Sequence, residues 1–237
     1  MGAPYPAPMT YDLYIGDRTF SSWSYRGWLM LEKFGLPHTT KLVGLYAGTM
    51  ANELAHIAPA KTVPAMVTPE GHVLTDSLAM GETLAERHPE AGLWPTDPAA
   101  RALARSITAE MHSSFMPLRD ACPNMICCTW DGFEPSEAVQ KDIKRIEELW
   151  ALARHRHGSN GPWLFGDYCL ADVFYAPVAF RMTTYKLPIS AEAQAYVDAH
   201  LSDPALAVWK SEADKETYDP FPYDLGLERR PWPDKTS

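Results

Sequence analysis

Residues 61–79 read KTVPAMVTPEGHVLTDSLA, and the order of features in this stretch decides the fold of the first half of the chain. Two short apolar runs, 65–68 and 72–74, flank a Pro-Glu-Gly turn, which predicts two neighbouring strands. Helical periodicity then begins at Asp76 and continues to Arg87. The stretch therefore predicts a pair of strands that leads directly into a helix.

The preceding residues extend this pattern into a mixed α/β unit. An apolar strand at 13–15 leads into a helix that ends at Gly35. Residues 41–45 predict a second strand, and 50–57 predict a short helix. The resulting order, β-α-β-α-β-β-α, is typical of a small mixed sheet covered by helices. We therefore predict a first domain at residues 1–90.

The rest of the chain has mainly helical periodicity. A linker rich in proline and glycine, 88–99, separates this part from the first domain. The predicted helices are 103–116, 137–155, Leu170–Thr184, 191–200 and Pro204–Ala213. They predict an all-α helical bundle at residues 98–237. The last stretch, 218–237, is rich in proline and aromatic residues, and we expect an extended tail on the surface.

Charge and hydropathy limit the partners and the location of the protein. The 237 residues include 21 Lys and Arg against 30 Asp and Glu, which gives a formal net charge of -9. Nucleic acids and anionic membranes need a basic face, so we expect neither as a partner. No apolar run approaches the roughly 20 residues of a membrane span, and residues 1–10 lack the pattern of a signal peptide. We therefore expect a cytoplasmic protein.

The cysteines predict neither a metal site nor a redox motif. Four are present, Cys122, Cys127, Cys128 and Cys169. They lack the spaced pairs of a zinc site and the Cys-x-x-Cys spacing of a redox centre. Because cysteine is among the residues most often buried, we expect mostly reduced thiols in the core and no bound metal.

One candidate functional segment, FSSWSYR at 20–26, lies between the first strand and the first helix. Unpaired backbone N–H groups and the helix dipole favour an anion at such a place. One serine there either caps the helix or donates its hydroxyl to a thiolate. A serine nucleophile is not favoured, because the chain has no G-x-S-x-G elbow.

Two further candidate segments lie in the opening stretch. Pro64 either begins an edge strand or follows a cis bond that turns the Val63 backbone toward a peptide-like ligand. Asp76 and Ser77 either cap the next helix or bind the free amino acid end of a ligand. In the second case the helix N-terminus and Ser77 hold a carboxylate, and Asp76 holds the ammonium group.

Taken together and in this order, the segments resemble the cytosolic glutathione S-transferase family over nearly the whole chain. SSWSYR at 21–26 is similar to the serine motif of the bacterial, zeta-like classes, although the zeta class has cysteine where Trp23 stands. TVPA at 62–65 resembles the family's cis-proline segment, and CLAD at 169–172 resembles its capping box. The resemblance implies a thioredoxin-like N-terminal domain, an all-helical C-terminal domain and a homodimer.

The resemblance also implies roles for individual residues, with glutathione as co-substrate. Ser21 or Ser22 would donate a hydrogen bond to the glutathione thiolate, and position alone does not choose between them. The residues implied to bind glutathione are Trp23, Val63, Pro64, Asp76 and Ser77.

A second substrate in this family lies between the two domains, against the helix that corresponds to 103–116. The residues predicted to form this pocket are His112, Phe115, Met116 and Arg119. An apolar pocket with one cation would suit an electrophile that carries a carboxylate. The alternative is that Phe115 and Met116 belong to the core and Arg119 to the surface. Arg181 is a second candidate cation, offset from the position of the zeta-class substrate arginine.

The function implied is transfer of glutathione to an electrophilic carbon of a small hydrophobic substrate, as in detoxification. Isomerases, dehalogenases and ether lyases that depend on glutathione need the same thiolate and remain alternatives. A non-catalytic module that uses this fold for protein contacts is an alternative from another class. Retention of Ser21, Pro64, Asp76 and Ser77 disfavours that module, because a scaffold needs no ligand-binding set.

Overall fold

The strands of the first domain form one mixed sheet in the computed structural model, which describes residues 10–158, 161–216 and 221–233. The strands are β1 (Tyr11–Ile15), β2 (His38–Leu42), β3 (Ala65–Val67) and β4 (Val73–Leu74). Their order in the sheet is β2-β1-β3-β4. Strand β1 pairs parallel with β2 and antiparallel with β3. The predicted mixed α/β unit is therefore confirmed.

Three helices accompany this sheet. They are α1 (Ser22–Glu32), α2 (Met50–Leu54) and α3 (Ser77–Arg87). Helix α1 is buried along most of its length because Leu29, Met30 and Leu31 enter the core. It ends before Gly35, whose φ of +63° is a left-handed conformation that glycine adopts at little cost.

Strand β2 lies three residues earlier than predicted. The prediction was 41–45, whereas the register pairs Tyr11 with His38 and Ile15 with Leu42. The Val43 N–H still donates to the Ile15 carbonyl at 2.7 Å, and the chain then leaves the sheet. The apolar residues that suggested a longer strand have other contacts: Val43 is buried, and Leu45 lines a cleft.

The second half of the described chain is mostly helical. Its helices are α4 (Pro98–Ser113), α5 (Met116–Ala121), α6 (Glu137–His157), α7 (Leu170–Thr184), α8 (Ala191–Leu201) and α9 (Pro204–Ala213). Helix α7 is buried on all sides and packs against α1, α4 and α8. A helix that is apolar all round belongs in the centre of a bundle.

Helix α4 ends at Ser113, so the prediction of one helix over 103–116 is wrong. Phe115 has a φ of 64°, a left-handed conformation that breaks the helix. Pro117 follows, and it has no N–H to continue the hydrogen-bond ladder of α4. The chain therefore turns at Phe115 and begins the short helix α5 in a new direction.

The described end of the chain forms a small sheet with residues far away in sequence. Strand β6 (Glu228–Pro231) pairs antiparallel with β5 (Cys128–Asp131). Trp232 is buried, and Arg230 Nε lies 3.0 Å from Asp131 Oδ2. Residues 221–233, called the C-terminal strap below, are therefore attached by a β-ladder that the sequence analysis did not predict. The rest of the predicted tail lies outside the described residues.

The two halves pack through α1 and α7. Tyr25 and Trp28 of α1 contact Trp209 of α9, with ring centroids 5.3 and 5.1 Å apart. The Leu170 N–H donates to the Leu93 carbonyl at 2.9 Å, which joins α7 to the linker. Among the described residues, no helix is both long and apolar enough to cross a bilayer. This packing leaves the N-terminus of α1 at a cleft between the two halves.

Candidate functional site

A cleft of about 470 Å³ lies where the first sheet and its helices meet the helical half. Its walls come from the start of α1, the segment after β2, the residues before β3, the start of α3, α4 and the C-terminal strap. The lining residues are Phe20, Ser21, Ser22, Trp23, Leu45, Tyr46, Met50, Thr62, Val63, Pro64, Thr75, Asp76, Ser77, His112 and Tyr223. Every residue predicted to hold glutathione or its thiolate lies on this surface.

The two candidate serines have different hydrogen-bond partners. Ser21 is the N-cap of α1: its Oγ accepts the Ser24 N–H at 3.2 Å and donates to Ser24 Oγ at 2.7 Å. Ser24 Oγ also accepts the Gly16 N–H at 2.8 Å, which ties the cap to the end of β1. The Ser21 proton is thus committed to the helix start.

Ser22 is the first residue of α1, and its Oγ accepts from Arg181 Nη2 at 3.5 Å. Within the parts of the chain that the structure describes, no acceptor takes the Ser22 hydroxyl proton. Arg181 is itself held by the carbonyls of Cys122 at 2.9 Å and Pro177 at 3.2 Å. The Ser22 hydroxyl therefore has a cation on its acceptor side and a proton that is free to be donated.

The start of α3 combines a carboxylate and a buried hydroxyl at a helix N-terminus. Asp76 Oδ1 caps the helix by accepting the N–H groups of Leu78 at 2.8 Å and Ala79 at 3.0 Å. Asp76 Oδ2 lies 3.0 Å from His112 Nε2. The Ser77 Oγ is buried and has no partner among the described residues. Capping and ligand binding are compatible here, because the cap uses one oxygen of Asp76 and leaves Ser77 available.

The Val63–Pro64 peptide bond is cis and lies against α1. Gly27 of α1 faces Pro64, and a Cβ built on Gly27 would lie 2.8 Å from the Pro64 Cβ. Only a residue without a side chain allows this approach. Gly27 therefore sets the distance between α1, which carries the serines, and the segment that carries Val63.

A buried cluster of three arginines adjoins the cleft beside Trp23. The Arg26 guanidinium is fully buried, 4.6 Å from the Trp23 ring and 5.0 Å from the Phe174 ring. None of its nitrogens has a hydrogen-bond partner among the described residues. Burial, together with the charges of Arg119 and Arg181, lowers the pKa of Arg26 well below its ordinary value. Three neighbouring cations at this place favour an anion at the cleft.

Only His112 of the four residues predicted for the second-substrate pocket lines the cleft. Phe115 is buried in the core, and Met116 is exposed, because the chain turns away from α4 at Phe115. Arg119 lies over the Trp23 ring at 5.0 Å, and its Nε donates to the Ser114 carbonyl at 2.9 Å. Phe115, Met116 and Arg119, which were predicted for the same pocket, therefore lie outside the lining of this cleft.

His112 is poorly suited to carry a positive charge. Burial lowers its pKa, the charges of Arg26 and Arg119 act in the same direction, and Asp76 opposes them. Its Nδ1 is buried without a partner among the described residues. Neutral His112 is thus the form that pairs with Asp76 at neutral pH.

Several cleft residues were not found from the sequence. Leu45, Tyr46 and Met50 line the cleft with the serines, and Tyr223 reaches it from the strap. The proline and aromatic content of the last stretch was a signal for Tyr223, because such a segment needs a surface to cover. No feature of the sequence indicated that Tyr46 would line the cleft. No group of three or more His, Cys, Asp or Glu side chains suited to a metal occurs in the described part.

Comparisons with known proteins agree with this arrangement. Residues 20–87 match the family model "Glutathione S-transferase, N-terminal domain". The probable maleylacetoacetate isomerase of Caenorhabditis elegans is 30% identical over 179 residues, which are 75% of this chain and 81% of that protein. The zeta-class glutathione S-transferase of Euphorbia esula is 32% identical over 161 residues, 66% of this chain and 70% of that protein.

Solved structures share the fold at lower identity. Omega 2S glutathione transferase of Trametes versicolor has a TM-score of 0.67 and 22% identity, over 88% of this chain and 95% of that one. A Burkholderia glutathione transferase homolog, solved with bound glutathione, has a TM-score of 0.62 and 24% identity, over 88% and 100%. The fold, the order of the segments around the cleft and the identity to zeta-type relatives together show that the chain belongs to the glutathione transferase family of enzymes.

Proposed function

We propose that this protein binds glutathione in the cleft and uses its thiolate to attack an electrophilic carbon of a small hydrophobic substrate. Ser77 and the N-terminus of α3 would take the γ-glutamyl carboxylate, and Asp76 the ammonium group. Val63 would pair with the cysteinyl backbone beside Pro64, and Trp23 would flank the ligand. The observation that carries the proposal is the buried Ser77 hydroxyl, which has no partner in the described part of the chain, in the same cleft as the Ser22 hydroxyl.

Ser22, rather than Ser21, is proposed as the donor to the thiolate. Ser21 donates within the helix cap, whereas Ser22 accepts from Arg181 and keeps its own proton. A cation on the acceptor side of a hydroxyl strengthens that hydroxyl as a donor. Ser21 then has the separate role of fixing the start of α1.

The magnitudes support a thiolate at neutral pH. A free thiol has a pKa near about 8.5, so a decrease of two units requires roughly 2.7 kcal/mol of thiolate stabilisation. A hydrogen bond to a charged group contributes about 1.5–3 kcal/mol, and a helix N-terminus about 0.3–1 kcal/mol. Ser22 at the start of α1 is therefore sufficient, and the buried arginines add to the same effect.

Isomerisation that depends on glutathione is a second candidate function. It is favoured by relatives described as maleylacetoacetate isomerases and by the three arginines, which suit an anionic substrate. Trp23 occupies the position where the zeta class has cysteine, and this difference is an argument against assigning the relatives' isomerase activity directly to this chain. In isomerisation the thiolate adds to a conjugated double bond, the resulting single bond rotates, and elimination releases glutathione unchanged. In conjugation glutathione is consumed, so measuring glutathione consumption distinguishes the two functions.

The decisive test is an ultraviolet titration of protein-bound glutathione, with the Ser22→Ala and Ser21→Ala variants compared. Ser22→Ala should raise the bound thiol pKa toward the free value and lower kcat/KM by roughly 10- to 100-fold, the loss of one charge-assisted hydrogen bond. Ser21→Ala should mainly destabilise the fold, by about 0.5–2 kcal/mol, as loss of an N-cap does. An unshifted thiol pKa in the unmodified protein would instead favour the non-catalytic module.

The family resemblance also implies properties that need their own tests. A homodimer, a cytoplasmic location and a role in detoxification are proposed on that basis, as is a bacterial, serine-type class. Sedimentation of the purified chain tests the dimer, and a screen of small electrophiles tests the substrate range.

A further inference from the structure

The C-terminal strap brings an aromatic cluster to the serine end of the cleft. The Phe20 ring lies 5.5 Å from Phe221, 5.4 Å from Tyr223 and 5.7 Å from Tyr46, in each case edge to face. Phe20 directly precedes Ser21 and Ser22 in the chain. The cluster is therefore next to the proposed thiolate site, and Asp76 and Ser77 belong to a different wall at the start of α3.

The strap holds this position through contacts on both sides of Tyr223. Strand β6 pairs with β5 over four residue pairs, and the Trp232 ring lies 6.1 Å from Phe180 of α7. The Arg229 guanidinium lies 4.5 Å over the Phe221 ring. Tyr223 is thus fixed by an anchor in the helical half and by Phe20 of the first domain. A side chain held in this way can contact a ligand at little entropic cost.

Tyr223 and Tyr46 form a phenol pair at the mouth of the cleft. Their hydroxyl oxygens are 3.1 Å apart, and both residues line the cavity. Either hydroxyl can donate to the other, so one of the two protons bridges the pair and the second remains available. No other hydrogen-bond partner of either hydroxyl lies in the described part of the chain. The pair therefore presents one uncommitted O–H donor beside the thiolate site.

We propose that Tyr223, paired with Tyr46, is a specificity-determining residue for the second substrate. Its hydroxyl donates to an oxygen on the activating group of the electrophile, such as a nitro or carbonyl oxygen, and the aromatic cluster packs against the adjoining unsaturated carbons. The thiolate sulfur forms a bond to the electrophilic carbon, and an electron pair of the unsaturated system moves onto that oxygen. The pair returns when the C–halogen bond breaks and halide leaves, or, when the thiolate adds to a conjugated double bond, the adjoining carbon takes up a proton. A phenol donor stabilises the charge on the oxygen and so favours electrophiles of this class. The inference rests on the proposed function, because it needs glutathione at Ser22.

The test compares Tyr223→Phe and Tyr46→Phe with Tyr14→Phe as a control of the same chemistry. The Tyr14 hydroxyl lies 2.9 Å from His56 Nε2 and is not among the residues that line the cleft. Calorimetry measures the binding of glutathione and of two conjugates, S-(2,4-dinitrophenyl)glutathione and S-benzylglutathione. The first conjugate carries oxygen acceptors on the ring, and the second carries none.

Tyr223→Phe should weaken binding of the dinitrophenyl conjugate by about three- to tenfold, the effect of one hydrogen bond. Binding of glutathione and of the benzyl conjugate should stay unchanged, and kcat/KM for a dinitrophenyl halide should fall by a similar factor. Tyr46→Phe should have a smaller effect in the same direction, and Tyr14→Phe none.

Several results would overturn the inference. An equal loss for both conjugates would mean that Tyr223 contributes only packing, and a loss for glutathione itself would mean that the pair binds the co-substrate instead. Failure of the unmodified protein to bind glutathione would overturn the proposed function as well. Normal glutathione binding with no difference between conjugates would overturn the role of Tyr223 alone.

Discussion

Arg26 is a residue whose burial opposes stability and favours the proposed chemistry. Its guanidinium is enclosed by Trp23 and Phe174, and no acceptor lies within reach among the described residues. A buried cation without a hydrogen-bonded partner is costly, and replacement by an apolar residue of similar volume is often neutral or stabilising. The same charge, however, stabilises an anion in the adjoining cleft.

Arg26→Met is therefore expected to leave the free energy of unfolding unchanged or raise it, and to raise the pKa of bound glutathione. The first effect follows because methionine fills the space without a charge, and the second because one cation of the cluster is lost. Urea denaturation measures the first effect, and ultraviolet titration of the bound thiol measures the second.

The control for this change is Arg145→Met, which removes an exposed arginine bonded to Glu110. It alters the net charge equally but should leave the bound thiol pKa unchanged, because exposed charges are screened over such distances. A large loss of stability in Arg26→Met with no change in the thiol pKa would show that Arg26 is only structural.

At the scale of single residues, the sequence identified those cleft residues whose position depends on local backbone geometry. Ser22, Val63, Asp76 and Ser77 each lie at a helix start or next to a proline, and each lines the cleft. Phe115 and Met116 were assigned to the pocket on the expectation that one helix continued to Met116, whereas the left-handed φ at Phe115 follows the end of α4 at Ser113. Pro117 was the signal in the sequence for this break. The burial of Arg26 without a hydrogen-bond partner among the described residues could not be predicted from the sequence either, because it depends on packing between the two domains.

Asp172, near the start of α7, accepts more hydrogen bonds than an ordinary helix-capping residue. The carboxylate accepts the N–H groups of Cys169 at 2.9 Å and Leu164 at 3.1 Å, and the Tyr196 hydroxyl at 2.8 Å. Burial raises the pKa of Asp172 to about 6, although these hydrogen bonds act in the opposite direction. One side chain thus joins the start of α7, the segment before it and α8.

Asp172→Ala should therefore lower the free energy of unfolding by about 2–4 kcal/mol, because it leaves several buried donors without an acceptor. Asp97→Ala is the matched control, since Asp97 is an ordinary cap of α4 and, among the described residues, accepts the Ala100 N–H alone, at 2.7 Å. That variant should lose about 1 kcal/mol. Urea denaturation compares the two, and equal losses would contradict the joining role of Asp172.

Helices were predicted better than sheets for a physical reason. The bounds of α7 and α9 agree with the predictions because caps, prolines and periodicity within each helix determine them. The β5–β6 pair was missed because its register pairs residues far apart in the chain, such as Thr129 with Arg230, and the side-chain hydrogen bond from Arg230 to Asp131 spans 99 positions. The local sequence of neither strand indicates which strand it pairs with. In addition, β6 is a run of four exposed residues, three of them charged, and such a run has low strand propensity.

At the scale of the whole molecule, a carboxyl pair joins the first domain to the end of the last helix. Asp17, buried in the turn before α1, accepts the Phe20 N–H at 2.8 Å and is hydrogen-bonded to Glu216. Arg18 Nη1 lies 3.3 Å from Glu216 Oε1. Burial, with the neighbouring charge of Glu216, raises the pKa of Asp17 to about 7. Below about pH 7 folded Asp17 therefore carries a proton that it can donate toward Glu216, and above that pH Asp17 is charged.

This pair predicts that thermal stability falls as the pH rises from 5 to 8. Unfolded Asp17 is ionised throughout that window, whereas folded Asp17 keeps its proton until the pH passes about 7, so the proton stabilises only the folded state at pH 5. Asp17→Asn keeps an acceptor for the Phe20 N–H and has an amide donor toward Glu216 that does not titrate. The Tm of this variant should therefore decrease less between pH 5 and pH 8 than the Tm of the unmodified protein.

Asp12→Asn is the control, because Lys41 and Thr39 lower the pKa of Asp12 and that carboxyl stays ionised between pH 5 and 8. Parallel curves of Tm against pH for the unmodified protein and Asp17→Asn would mean that this contact between the domains does not titrate.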